Sequence, residues 1–408
     1  MTGKQPTTVK LLDKIRTPED FERFISELIS DNMELMQRFR KDYLETPSGM
    51  PKPKISKISF PNGDVYEGEV NKMNQRHGKG LCRYAGNDIY IGSWSNDQLH
   101  GNGSYIFSNN ERFTGELKNG RKSGRGKYTY INGNVYEGDW QDDKKNGQGV
   151  YDYFSMKERY VGDFVNGKKH GQGEYLFSNG DKYIGQYREN KRNGIGELFY
   201  QNGSYLKGEW KDNELTGQAK QFIKQTQEEY EGMWRKNKKN GSGIYTYSDK
   251  GIYQGEWRDD RRNGKGTYKY PNGDIYDGNW IDDMRSGNGL YRYARGGFYS
   301  GDWQDDQEHG FGKFEESDGD VYDGEWNMGW RSGSGLMKYS NGDSYQGLWE
   351  KSKRNGKGVY LWNTGDKYDG QWFDDRMHGN GKLVMKNGEV YDVVYENGEL
   401  VSKEMARR

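Results

Sequence analysis

A unit of 23 residues, written over and over, decides what this chain can fold into. From Tyr253 to Ile275 it reads YQGEWRDDRRNGKGTYKYPNGDI, and at Tyr276 it begins again. Tyr253, Gly255 and Trp257 alternate with Gln254 and Glu256, the period-2 signature of a half-buried strand. Arg258 to Asn263 is polar and is expected to be a loop. Gly264-Lys265-Gly266 opens a second strand carrying Tyr268 and Tyr270. Asn272-Gly273 is expected to form a type I′ turn, whose two central residues need positive φ. One unit is therefore two strands and two turns.

The first aromatic slot falls at Tyr66, Tyr90, Phe113, Tyr136, Tyr160, Tyr183, Leu206, Tyr230, Tyr253, Tyr276, Tyr299, Tyr322, Tyr345, Tyr368 and Tyr391, in steps of 23 or 24 residues. A glycine follows two places on in fourteen of these fifteen units, Val393 being the exception, and ten of the twelve tryptophans stand four places on. A fixed period in this range means an array in which each unit contacts its neighbours.

The pattern Tyr-x-Gly-x-Trp, a loop, Gly-x-Gly, two aromatics and Asn-Gly resembles the MORN repeat, over roughly residues 55–400. The resemblance implies an all-β fold, a long single-layer ribbon of antiparallel hairpins. It also implies work as a scaffold, tether or partner-binding module, with phosphoinositide binding as a second line. At about 4.8 Å per strand, some 29 strands would extend over about 140 Å.

Composition is consistent with an array. Hydrophobic content of 31% and charged content of 30% alone would suggest disorder. Aromatic content of 15% at fixed spacing argues the opposite. Lys+Arg and Asp+Glu are both 62, which removes any global case for nucleic acid. The single cysteine, Cys82, stands in a slot that later units fill with Tyr105, Tyr128 and Tyr151, and is expected in the core. No signal peptide and no apolar run of membrane-spanning length is visible, so a cytoplasmic protein is expected.

Residues 1–54 lie outside the repeat. Thr17-Pro18-Glu19-Asp20 reads as a helix start. Phe21, Phe24, Ile25 and Leu28 begin an apolar face that continues to Tyr43, predicting an amphipathic helix over about 17–44, followed by a Pro-rich linker. The array is expected over 55–401, its last unit having one strand, with a charged tail over 402–408. The unit at Leu206–Glu229 is irregular: Leu206 replaces the tyrosine, Ala219 the second glycine, and its second turn has no glycine. It is expected to be the most distorted.

Tyr, Gly and Trp of the first strand share a face, and the glycine leaves room for a ring to lie over its backbone. The exposed ring-lined face, with Tyr136, Trp140, Tyr253, Trp257, Tyr276, Trp280, Trp303 and Trp326, is the expected groove for a protein partner. The opposite face carries Glu67, Glu137, Glu209 and Glu256 and should be wet and acidic. Basic pairs recur in one loop: Arg121-Lys122, Lys144-Lys145, Lys168-Lys169, Lys191-Arg192, Lys238-Lys239, Arg261-Arg262 and Lys353-Arg354. On a ribbon they would form a row along one edge. That row is either solubilising charge or a track for anionic partners, phosphoinositide headgroups or an acidic filament surface.

His77, His100, His170, His309 and His378 each precede the first glycine of a Gly-x-Gly, where Asn146, Asn193 or Asn263 stand in other units. This is read as shared tolerance of the left-handed conformation rather than as metal ligation. Gly-x-Gly never opens a helix, so it lacks phosphate-cradling geometry. No catalytic residue, metal or cofactor is expected, and about 54 non-repeat residues leave no room for a kinase domain. The expectation is a non-enzymatic scaffold with protein partners. Resemblance to MORN proteins of cilia and the cytoskeleton supplies the setting and suggests a homodimer through the last repeats. A membrane-surface tether is the alternative.

Overall fold

In the computed structural model residues 55–406 are described. They fall into two compact units, 55–108 with Leu117–Gly120, and Asn109–Glu116 with 121–406. The expected helix, with Phe21, Phe24, Ile25 and Leu28, lies outside the described residues. Among the described residues there are 31 strands and no helix. In the first unit the strands from Ile55–Ser59 to Gln98–Ile106 pair antiparallel, each with the next. In the second, from Arg121–Thr129 to Glu399–Met405, every strand does the same; the repeat Ile252–Arg258, Arg261–Lys269, Ile275–Ile281 is typical.

The two turns of the repeat are the reverse of the expected ones. The type I′ turn is Asp259-Asp260, with φ of 49° and 70°, and Arg258 pairs directly with Arg261 across it. Asp and Asn tolerate the left-handed region because their short polar side chains can bond locally. The polar stretch is therefore no loop, and Arg261 and Arg262 belong to the second strand. At Asn272-Gly273 only the glycine has positive φ, 92°. Pro271 presets the first central position of a type I turn, so the turn begins one residue earlier. Gly273 N–H donates to the Tyr270 carbonyl at 3.0 Å, and Asp274 N–H to Asn272 Oδ1 at 3.0 Å.

Glycine and tyrosine are cut to one another. The Tyr253 ring lies along its own strand, over Gly255 and over Gly266 of the paired strand. A Cβ on Gly266 would fall 2.5 Å from the ring and 2.3 Å from its hydroxyl. The hydroxyl donates to the Glu256 carbonyl at 3.0 Å. Trp257 and Trp280 stand edge-on at either side, at 5.2 and 5.5 Å. Tyr253 is thereby fully buried by glycine backbone beneath it and rings beside it. The register jumps between Gly255 and Trp257, a bulge that Gly264 absorbs at φ 83°. The acid before the tryptophan caps such bulges: Asp139 Oδ2 accepts from Gln148 N–H at 3.0 Å and Glu325 Oε1 from Ser334 N–H at 2.9 Å.

The irregular unit keeps its pairing, with Gly208 opposite Ala219 and Leu206 opposite Gln221. Its two substitutions compensate: a methyl at Ala219 occupies the space a tyrosine ring would need, and residue 206 is no longer a ring. The buried indole N–H of Trp234 has no hydrogen-bond partner, a gap it shares with Trp257, which follows a regular unit. In eight other repeats the equivalent indole donates to the second glycine of the preceding unit, as Trp280 does to Gly266 at 3.1 Å. The last unit has two strands rather than one. Asn397-Gly398, at φ 52° and 93°, turns Val390–Glu396 into Glu399–Met405, so the second strand runs into the expected tail. Cys82 is buried and free.

Candidate interaction surface

The eight rings expected to line an open groove are the core of the sheet. Tyr136, Tyr253 and Tyr276 are fully buried, Trp140, Trp257, Trp280 and Trp303 nearly so, and Trp326 is half-buried. They form an alternating ladder in which each tyrosine meets two rings edge-on, Trp140 and Phe164 for Tyr136 and two tryptophans for Tyr253 and Tyr276. Tyr276 lies 5.1 Å from Trp280 and 5.3 Å from Trp303, and Tyr299 lies 5.1 Å from Trp303 and 5.2 Å from Trp326. The correction follows from the glycines: they let the rings lie flat, so a side chain that would stand proud of an ordinary strand is covered.

The basic pairs divide. Because they are strand residues, their two members face opposite ways. The outer members, Arg121, Lys144, Lys168, Lys191, Lys238, Arg261 and Lys353, are exposed. Several reach the turn acid of the next repeat: Arg121 to Asp142 at 3.6 Å, Lys191 to Asp212 at 3.3 Å, Lys168 to Glu189 and Lys353 to Asp374. The inner members, Lys122, Lys145, Lys169, Arg192, Lys239, Arg262 and Arg354, turn in over the rings. Arg262 shows the clamp in full. Its guanidinium carbon lies 4.2 Å from the Trp280 ring centroid, its Nε donates to Asp283 Oδ1 at 3.1 Å, and its Nη2 donates to the Asp283 carbonyl at 2.7 Å. One arginine thus ties the next repeat's tryptophan to the next repeat's turn, combining cation–π attraction with charge-assisted bonds.

A search for basic pairs misses three members of this series. Arg76 clamps Asp97 and Trp94, Arg285 clamps Asp306 and Trp303, and Arg331 clamps Ser352 and Trp349. Their outer neighbours Gln75, Met284 and Trp330 are not basic. For Arg285 and Arg331 the legible signal is position, five places after the tryptophan slot. The histidine expectation is also corrected: none of the five has positive φ, which belongs to the glycine that follows, as at Gly78 and Gly310.

Burial pushes the Lys145 and Lys169 ammonium groups down to about 8. Unfolded lysine titrates near ~10.4. Between these values the unfolded chain binds more protons, so stability rises with pH across that window. Tyr153, pushed up by burial to about 12, acts oppositely above ~10, where the folded chain holds the extra proton. The urea midpoint of the full chain is expected to rise from about pH 7.5 to about 9.5 and to fall again by about pH 11. Replacing Lys145 and Lys169 by Met should flatten the rise and leave the fall; an unchanged rise would reject the assignment.

A run of hairpins in which the same ring, glycine and clamp recur is a tandem-repeat protein built by stacking. The chain belongs to the MORN-repeat family: the MORN repeat matches residues 66–89, 90–112, 113–135, 136–155, 160–182, 183–205, 230–252, 253–275, 276–298, 299–321, 322–344, 345–367 and 368–390. The irregular unit falls between two matched stretches. No curated relative matches the chain. Among solved structures, the TCP domain of SAS-4 (dCPAP) of Drosophila melanogaster, in complex with a proline-rich motif of Ana2 (dSTIL), is 13% identical at a TM-score of 0.23, covering 44% of this chain and 85% of that one. The TCP10 domain of Danio rerio CPAP is 12% identical at 0.20, covering 74% and 99%. A streptogramin B lyase is 11% identical at 0.12, covering 83% and 89%. At such TM-scores the likeness carries no argument.

Proposed function

We propose that this chain is a non-enzymatic scaffold that seats protein partners along a second, half-exposed row of rings. The observation that carries the reading is that row itself. Tyr130, Tyr153, Phe177, Tyr200, Tyr247 and Tyr270 sit beside the second turn of their repeats, the row being interrupted at Ile223, and are half-buried where the first-strand tyrosines are fully covered. Four of the six, Tyr130, Tyr153, Tyr247 and Tyr270, approach a ring of the following repeat, Tyr153 to Tyr175 at 5.9 Å and Tyr270 to Tyr291 at 5.6 Å. Two strands per repeat place equivalent rings about 10 Å apart, a spacing suited to an extended or helical segment anchored at intervals. A ciliary or cytoskeletal setting is the finer part of the proposal and rests on the family resemblance.

The test is site-specific cross-linking in the full chain. A photoreactive phenylalanine analogue at Tyr153 or Tyr247 is expected to capture the same partner protein, whereas one at Gln254, exposed on the opposite face, should not. Capture from Gln254 alone would overturn the proposal. The membrane alternative relies on the basic row, whose inner half is turned over rings and whose outer half is largely ion-paired. Pelleting with phosphoinositide vesicles at physiological salt, lost when Lys144 and Lys191 become Glu, would favour it instead.

A further inference from the structure

One junction in the second unit breaks the clamp in a way that points outward. In ten repeats a lysine or arginine lies over the ring that follows: Arg76, Lys122, Lys145, Lys169, Arg192, Lys239, Arg262, Arg285, Arg331 and Arg354. All ten covered rings are buried. Where the cation is missing before Trp234, Leu215 takes the slot, and Trp234 is buried too. The slot before Trp326 holds Glu308.

Backbone geometry confirms the equivalence of the positions. Glu308 pairs with Trp303 as Arg262 pairs with Trp257. Gly329 N–H donates to the Glu308 carbonyl at 2.9 Å, as Asp283 N–H does to that of Arg262 at 3.1 Å. The three rings are arranged as in a clamped repeat. Trp326 lies 5.2 Å from Tyr299 and 6.2 Å from Phe314, against 5.5 and 6.4 Å for Trp280 with Tyr253 and Tyr268. The turn residue that would hold an arginine, Asp283 elsewhere, is here Gly329. The acid of the pair has thus moved to the cation's own position, and among the described residues no cation covers Trp326. An acid in the slot that ten repeats give to a cation leaves the ring face of Trp326 without its counter-charge, a gap that a cation would fill.

The surroundings favour the same ligand. Residues 301–325 contain ten acids and one lysine, in a chain whose charges balance as a whole. The exposed rim beside the slot is apolar: Met328 is 41% and Trp330 57% accessible. The next junction back has Met284 where most repeats carry an outer cation, opposite Asp305.

We infer that Phe314, Trp326 and Glu308 form a cage for a lysine or arginine side chain supplied by a partner protein, on a segment whose flanking residues are apolar. The bound cation would stand where Arg285 stands over Trp303, paired with Glu308 instead of a turn aspartate. Met328 and Trp330 would take its apolar neighbours. This deepens the scaffold reading by naming the chemistry of one partner. Its failure is separable from failure of that reading, since cross-links from Tyr153 and Tyr247 lie outside this junction.

The test uses the full chain labelled with 5-fluorotryptophan, with the Trp326 fluorine resonance assigned by Trp326→Phe. The probe is a short peptide carrying one arginine between leucines, and its control has citrulline in place of arginine. The arginine peptide is expected to shift the Trp326 resonance selectively, and the citrulline peptide is not. Glu308→Gln should weaken binding about ten-fold or more, a loss on the scale of one charge-assisted contact. Glu308→Arg restores the clamp within the chain, so it should abolish peptide binding while the other tryptophan resonances stay in place. Peptide binding unaffected by Glu308→Arg, or shifts spread over all the tryptophans, would overturn the proposal. So would a Trp326 resonance already at its bound position without peptide. Restoration on dilution would then assign the cage to a second copy, and its persistence to residues 1–54.

Discussion

Gly266→Ala is expected to destabilise its hairpin by about 3 kcal/mol, at the upper end of overpacking costs. The added methyl would lie 2.3–2.5 Å from the Tyr253 ring and hydroxyl. That ring cannot retreat, because Trp257 and Trp280 hold its two sides and its hydroxyl is bonded to Glu256. Tyr253→Leu alone should also destabilise, through lost ring contacts. The double variant recreates the Leu206 and Ala219 arrangement, and is expected to recover much of the loss. Hydrogen exchange across residues 253–298 would report it, since an array need not unfold as one two-state unit. A double variant whose loss equals the sum of the singles would show that the irregular unit is tolerated for some other reason.

Trp280→Ala is expected to cost about 3–5 kcal/mol, the range for emptying a buried tryptophan site. It removes edge contacts with Tyr253 and Tyr276, the hydrogen bond to Gly266, and the surface on which Arg262 rests. The loss should be confined to the repeats that share the ring. Protection from exchange should fall in residues 253–298 and be retained near Tyr345 and Trp372. Equal loss at the distant repeats would mean that the second unit opens as a whole. Trp326→Ala should cost less, because that ring is half-buried and lacks its clamp.

The strands, their order and the glycine–ring partnership were legible because period-2 alternation and a fixed repeat report directly on which residues share a face. The turns were misassigned for a physical reason. Asn-Gly is a strong signal for a two-residue turn, but Pro271 and the Asn272 side chain favour a turn that starts earlier. Asp259-Asp260, with no glycine, took the left-handed pair instead. The same error hid the split of the basic pairs, since a loop has no faces and a strand has two. Reading Arg261-Arg262 as strand would have turned one outward and one inward. The groove was misjudged because sequence gives the face on which a ring lies, not whether it stands up or lies flat. What Glu308 does to its junction was visible in sequence only as an acid in a basic column, and that column takes shape only once the clamp is seen.

The clamps have a genetic consequence. Arg262 grips Asp283 and Trp280, and Arg285 grips Asp306 and Trp303, with matching atoms. If residues 276–298 were excised, Arg262 would come to face Asp306 and Trp303, and the seam would close with the chemistry it had before. Unequal crossing-over can therefore lengthen or shorten such a gene by whole modules without inventing a new interface. A lineage can adjust how many repeats it carries while the junctions on either side keep their chemistry.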